Sequence, residues 1–127
     1  MAMTSPEEKH HHLAAWLGDP PASGPSVIIL EGILACTTAA SLEGLVAHLL
    51  QKAPGPAALD LTDLDIEDTD GMLALVDFLR ARQQAGIALT LIGAPQALGH
   101  NLYRMRIMEG PNPIRLVDMR HDEPFRG

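Results

Sequence analysis

The chain has 127 residues, enough for one domain to bury its own core without disulfide or metal staples. Apolar residues make up 46% of it and aromatics only 3%, which disfavours an aromatic-rich barrel or sandwich and points to a core of Leu, Ile, Val, Ala and Met. A formal net charge of −7 opposes nucleic acid and anionic membrane as partners, and no apolar run is long enough to span a bilayer.

In chain order, Ser5-Pro6-Glu7-Glu8 reads as a helix start: a capping serine, proline at the first helical position and glutamate three after the cap. That helix is expected to run to Leu17 and stop at Gly18, with GDPPASGPS (18–26) as a turn-rich linker. Residues 1–26 thus form an N-terminal helix and linker, and 27–127 the domain proper. Residues 27–30 are β-branched and apolar, a buried strand ending at Glu31-Gly32. Leu42, Leu45, Val46, Leu49 and Leu50 then keep the spacing of an amphipathic helix over 38–52, which Pro54-Gly55-Pro56 terminates. A second strand is expected over 57–62. Met72, Leu75, Val76 and Leu79 mark one face of the next helix, closed by Ala85-Gly86. Residues 87–92 (IALTLI) form a third strand. Gly93-Ala94-Pro95 opens a shorter helix to about Arg104, and 114–117 is a fourth strand. Strands alternating with helices at these spacings mean parallel βαβ units with right-handed crossovers. The fold class is α/β, with a four- to five-stranded, mostly parallel or mixed sheet and packed helices.

The segment AALDLTDLDIEDTDG (57–71) carries the most chemistry. A short strand runs into an acidic turn that opens a helix, and such a mouth presents backbone N–H groups and a small hydroxyl to whatever docks there. Its aspartates invite a metal reading. The calcium-loop template with Gly71 at its sixth position puts Ile66 on the first ligand and Asp77 in place of the closing glutamate, so it fails. A phosphoryl-transfer site would want a nearby basic clamp, and the nearest arginines, Arg80 and Arg82, lie turns away. His10, His11 and His12 are consecutive, so on a helix they point in different directions rather than at one ion. Cys36 is alone; it cannot close an internal disulfide, and a reducing, cytoplasmic setting is expected. The polar N-terminus agrees with that expectation. Gly93, Ala94 and Pro95 match neither phosphate-loop pattern but fall at the sheet end expected to carry Thr69. No catalytic residue, metal or cofactor is expected, and the chain is read as a non-enzymatic protein.

A strand reading LDLT, a short acidic connector and then Asp-Thr-x-Gly opening an apolar helix resembles the STAS domain. So does the order that follows: an Ala-Gly turn, the strand IALTLIG, a loop, a short helix and a strand. Upstream, ILEGIL with Thr37, Thr38 and a Leu-rich helix is similar to the family's first block. STAS domains include bacterial anti-sigma factor antagonists, an accessory subunit of a lipid-transport ABC system, stressosome proteins and cytoplasmic tails of anion transporters. In the antagonists, the Ser or Thr after the aspartate is phosphorylated by a partner kinase that is also the anti-sigma factor. The resemblance assigns that hydroxyl to Thr69, within a partner-binding surface of Thr37, Thr38, Asp68, Thr69, Asp70, Gly71, Gly93, Ala94 and Pro95. From the residues alone Thr69 also serves as a helix cap, and the two roles are compatible.

The sequence departs from the family in three places. Asp70 stands where a small neutral residue is expected, and with Glu67 and Asp68 it crowds carboxylates around Thr69. A helix is expected in place of the family's first strand, and its final amphipathic helix has no counterpart in MRHDEPFRG. The expected partner is an anti-sigma factor or serine/threonine kinase or, alternatively, the ATPase of a lipid-transport ABC assembly; an exposed edge also suits a homodimer.

Overall fold

The computed structural model describes residues 12–18, 24–52, 57–109 and 114–119. Among these, six strands and three helices follow the chain: β1 (Leu13–Leu17), β2 (Ser26–Leu34), α1 (Ala39–Lys52), β3 (Ala57–Asp60), β4 (Leu64–Ile66), α2 (Thr69–Gln84), β5 (Leu89–Ile92), α3 (Gln96–Arg104) and β6 (Arg115–Val117). The sheet order is β1-β2-β3-β5-β6, with β4 also paired to β2. Only β1 runs antiparallel to its neighbour; every other pairing is parallel. The mixed α/β class expected from the strand–helix alternation is what forms. The three helices pack side by side, α1 against α2 and α2 against α3, with α1 also lying over β1 and β2.

The N-terminal expectation is corrected. Residues 13–17 (LAAWL) are strand, not the end of a helix; the proposed helix start at Ser5, His10 and His11 lie outside the described residues. Isolated, LAAWL leans toward helix through its alanines and leucines, and strand pairing overrides that preference. Leu13 to Leu17 register against Gly32 to Ile28 and satisfy a β2 edge that would otherwise be bare. The expected strand end at Glu31-Gly32 is also passed, since β2 continues to Leu34. Gly32 makes this run possible. Its φ is +100°, and a Cβ there would lie 2.0 Å from the His12 carbonyl oxygen. That same carbonyl accepts from the Ile33 N–H at 3.0 Å.

The second strand stops two residues early because Asp60 turns the chain. Its carboxylate accepts from the Thr62 N–H at 3.0 Å, a side-chain mimic of a backbone turn. After that break the chain rejoins the sheet as β4, a strand the sequence did not announce. β3 pairs with the first half of β2 (Ser26↔Ala57 to Ile29↔Asp60), and β4 with the second half (Gly32↔Leu64 to Leu34↔Ile66). Together they act as one interrupted strand along β2.

The core is aliphatic, as the composition requires. Ile28, Leu30 and Leu34 of β2 and Leu59 of β3 meet Leu75, Val76 and Leu79 of α2 within one buried cluster. On α1 only Leu42 and Val46 are fully buried, and Leu45, Leu49 and Leu50 are half-buried at the layer's margin. On α2 the stripe read from the sequence is the buried face, widened by Phe78. Arg82 lies over the Phe78 ring at 4.7 Å and pairs with Glu43, tying α2 to α1. Burial sorts the leucines of this helix by consequence. Leu79→Ala, at a fully buried site, is expected to cost about 2–5 kcal/mol in chemical denaturation. Leu73→Ala, 45% exposed on the same helix, is expected to change stability by less than about 1 kcal/mol.

Candidate functional site

The parallel strands deliver the β2–α1 turn, the β4–α2 connection and the β5–α3 turn to one end of the sheet. Here α2 begins, and its cap is Asp68, not Thr69. With φ −147° and ψ 174°, Asp68 stands in extended backbone, and one carboxylate oxygen (Oδ1) accepts from the Gly71 N–H at 2.8 Å. The other oxygen, Oδ2, accepts from the Cys36 N–H at 3.0 Å, 32 residues away in sequence. A single carboxylate therefore closes the first turn of α2 and clasps it to the β2–α1 turn. Glu67 strengthens the join by donating its backbone N–H to the Leu34 carbonyl at 3.0 Å.

The clasp needs close backbone approach, which Gly71 supplies. A Cβ at Gly71 would stand 2.4 Å from the Leu34 oxygen and 2.9 Å from the Ala35 nitrogen. The short Asp-x-x-Gly spacing puts the capping acceptor and the bare Cα on the same turn, one bonding and the other admitting the end of β2.

Thr69 is the first residue of α2; its side chain is exposed, and its hydroxyl has no hydrogen-bond partner among the described residues. Asp70 beside it is also exposed, in the turn where a carboxylate is favoured by the helix's positive end. Thr37 and Cys36 are exposed across the clasp. Thr38 is more occupied. Its hydroxyl donates to the Ile33 carbonyl at 2.8 Å and accepts from the Ala35 N–H at 3.0 Å, holding the turn that presents Cys36 and Thr37. Thr37, Thr38, Asp68, Thr69, Asp70 and Gly71 are thus brought together. Gly93, Ala94 and Pro95 sit at the same sheet end but pack elsewhere: a Cβ on Gly93, whose φ is +67°, would lie 2.4 Å from the Thr62 hydroxyl. Gly93 and Ala94 are buried and Pro95 half-buried, so this loop contributes shape rather than exposed side chains.

Two roles escaped the sequence reading. Asp68 as cap was legible, because aspartate is a strong N-cap residue three before a glycine. The Cys36 amide as its second donor was not, because nothing local connects residues 32 apart. The electrostatics follow from this geometry. The Cys36 and Gly71 N–H groups hold the Asp68 carboxyl below its usual value. The negative charge of Asp68, and then its hydrogen bond with the thiol, push the Cys36 thiol above its ordinary value. Cys36 is therefore exposed yet poorly ionised at neutral pH.

A carboxyl with a lowered folded pKa stabilises the fold above its unfolded value, and that stabilisation is lost as pH falls through the lowered one. Acid titrations followed by circular dichroism are expected to show this loss in wild type and its absence in Asp68→Asn. The same substitution is expected to speed alkylation of Cys36 by iodoacetamide at neutral pH, because the neighbouring negative charge is gone. Gly71→Ala, which drives a methyl into the Leu34 carbonyl, is expected to destabilise by about 1–3 kcal/mol in urea unfolding.

A family model described as the STAS domain matches residues 21–116. A search of curated protein sequences finds no significant match. Among solved structures, the chain is similar to an uncharacterised protein with a SpoIIAA-like fold from Shewanella loihica. The two share 13% identity, 91% of each chain is covered, and the TM-score is 0.53. It is also similar to a sulfate transporter family protein from Wolinella succinogenes, at 24% identity over 70% of this chain and 74% of that one, with a TM-score of 0.47. At 13% identity the likeness to the Shewanella protein speaks to the fold alone, SpoIIAA-like, and the sequence model speaks to the family. STAS domains are in general non-enzymatic modules that mediate protein–protein interactions. The chain, matched by the STAS model across three-quarters of its length, belongs to the STAS domain family.

Proposed function

We propose that this protein is a regulatory docking module of the anti-sigma factor antagonist type. It binds a partner kinase or anti-sigma factor, in the cytoplasm, through the mouth of α2 and the β2–α1 turn. The observation that carries this reading is the division of labour at residues 68–71. Asp68 does the capping and Gly71 the close packing, so Thr69 and Asp70 are spared structural duty and face outward beside Thr37 and Cys36.

Thr69 is the candidate switch of that surface. Phosphorylation would add about −1.5 to −2 charges at the mouth of the helix. The helix end tolerates added negative charge, whereas a partner surface fitted to a neutral hydroxyl does not. No helix among the described residues is long and apolar enough to cross a membrane, which is compatible with a cytoplasmic partner.

Asp70 favours a second reading. An exposed carboxylate next to Thr69 gives the surface a permanent negative charge that no kinase controls. In that case the module is an accessory subunit, holding an ATPase of a lipid-transport ABC assembly through the same face without phosphorylation.

Co-purification from native extract with wild type, Thr69→Ala and Thr69→Glu separates the two. Retrieval of a kinase-type partner by wild type and Ala, with loss in Glu, is the outcome expected of the switch. Equal retrieval of transporter subunits by all three would replace it with the second reading.

A further inference from the structure

The described charges are sorted by sheet end. Parallel strands bring Asp60, Asp63, Asp65, Glu67, Asp70 and Asp118 to the end that carries Thr69. The helices return the chain to the opposite end, and the described lysines and arginines gather there. Lys52 closes α1, Arg80 and Arg82 lie in the second half of α2, Arg104 closes α3, Arg106 follows it and Arg115 opens β6. Glu109 and Asp77 are acidic exceptions toward that end, Asp77 lying 4.0 Å from Arg80, and Glu43 is taken up by Arg82.

The basic end has an anchor. Tyr103 is 78% exposed, and Met105 beside it is exposed, with its sulfur 3.5 Å from the Arg80 guanidinium. Arg104 and Arg106 flank them, both exposed. Tyrosine and arginine around a flexible methionine are residues that carry binding energy at protein interfaces.

Arg106 stands out for its backbone. Its φ is +60°, the left-handed region that glycine enters freely and a side chain enters at a cost. It occupies the position after the C-cap in a Schellman ending: the Ile107 N–H donates to the Leu102 carbonyl at 3.0 Å and the Arg106 N–H to the Tyr103 carbonyl at 3.1 Å. Leu102 and Ile107 are buried beneath this turn. The fold would be better served by glycine, and Arg106 makes no ion pair among the described residues. A strained, exposed cation without an ion pair among the described residues motivates a role at the surface.

We propose that the Tyr103, Arg104, Met105 and Arg106 patch binds the acidic end of a second copy of this chain, so that copies associate head to tail. The complementary surface is on the molecule itself: Asp63, Asp65, Glu67 and Asp70 are exposed at the strand-to-helix end, and Arg104 and Arg106 are exposed at the helix C-terminal end. The two patches differ, so the contact is heterologous and leaves one of each free for a further copy. The net charge of −7 repels copies at a distance, so association is weak and salt-dependent.

Sedimentation velocity on the purified full chain decides it. At about 20 mM salt, where screening is weak, the sedimentation coefficient of wild type is expected to rise with concentration, and at about 500 mM salt to fall back to the monomer value. Arg104→Glu with Arg106→Glu, and separately Asp63→Arg with Asp65→Arg, are each expected to be monomeric at low salt. Mixed in equal amounts, the two variants are expected to form a one-to-one complex, since each retains the end the other has lost. Arg106→Gly is expected to raise Tm while weakening self-association by about tenfold or more. If the reversed variants fail to fold by circular dichroism, Arg104→Gln with Arg106→Gln takes their place, and monomer at low salt is again expected. Wild type that stays monomeric at low salt overturns the proposal. So does association that survives high salt and both reversals, or a mixture of folded reversed variants that does not pair.

Discussion

The structure turns on one close approach, the first turn of α2 laid directly on the end of β2. Gly71 permits it by having no side chain where the Leu34 carbonyl passes, and Asp68 fastens it by accepting from both Gly71 and Cys36. If α2 were held farther out, the Leu75, Val76 and Leu79 face would no longer meet Ile28, Leu30 and Leu34 across the sheet. The short strand β4 belongs to the same arrangement, because it brings the chain along the second half of β2 to the point where α2 must begin. Core packing and surface presentation thus have a common cause.

That cause also shapes the functional surface. With capping and packing assigned to Asp68 and Gly71, Thr69 and Asp70 are left as exposed side chains on a rigid frame. A docking surface benefits from such rigidity, since little conformational freedom is lost when a partner binds. The lowered Asp68 carboxyl and the raised Cys36 thiol are two readings of one contact: the amides that favour the carboxylate also hold its charge beside the sulfur. The charge of Asp68 thus disfavours the thiolate of an otherwise exposed cysteine.

The sorting of charge follows from topology as much as from composition. Parallel strands with returning helices send the ends of β2 to β6 to one side and the helix ends to the other; only β1 runs the opposite way. Acidic residues in the strand-to-helix connections and basic residues near the helix C-termini therefore separate in space. Each helix gains at its C-terminal end, where Lys52, Arg82 and Arg104 meet the negative partial charge, and α2 gains at both ends because Asp70 lies in its first turn. A polar molecule is the consequence, with a different kind of surface at each end.

Much of this was legible in the sequence because it depends on neighbours. The period of Met72, Leu75, Val76 and Leu79, the Ala85-Gly86 stop and the aliphatic composition determined a helix-covered α/β sheet, since amphipathic spacing and turn chemistry act within a few residues. The motif order around LDLT and Asp-Thr-x-Gly was enough to suggest the family. What tertiary structure alone decided lies between distant residues. LAAWL became a strand because β2 had an edge to fill, and LDI became β4 because Asp60 broke the strand before it. The Asp68 cap on Gly71 is itself local, but its second oxygen found the Cys36 amide 32 residues away. Local preference there is weak or points the other way, and the pairings of β1 and β4 with β2 and of Asp68 with Cys36 join residues far apart in the chain, which no short window of sequence contains.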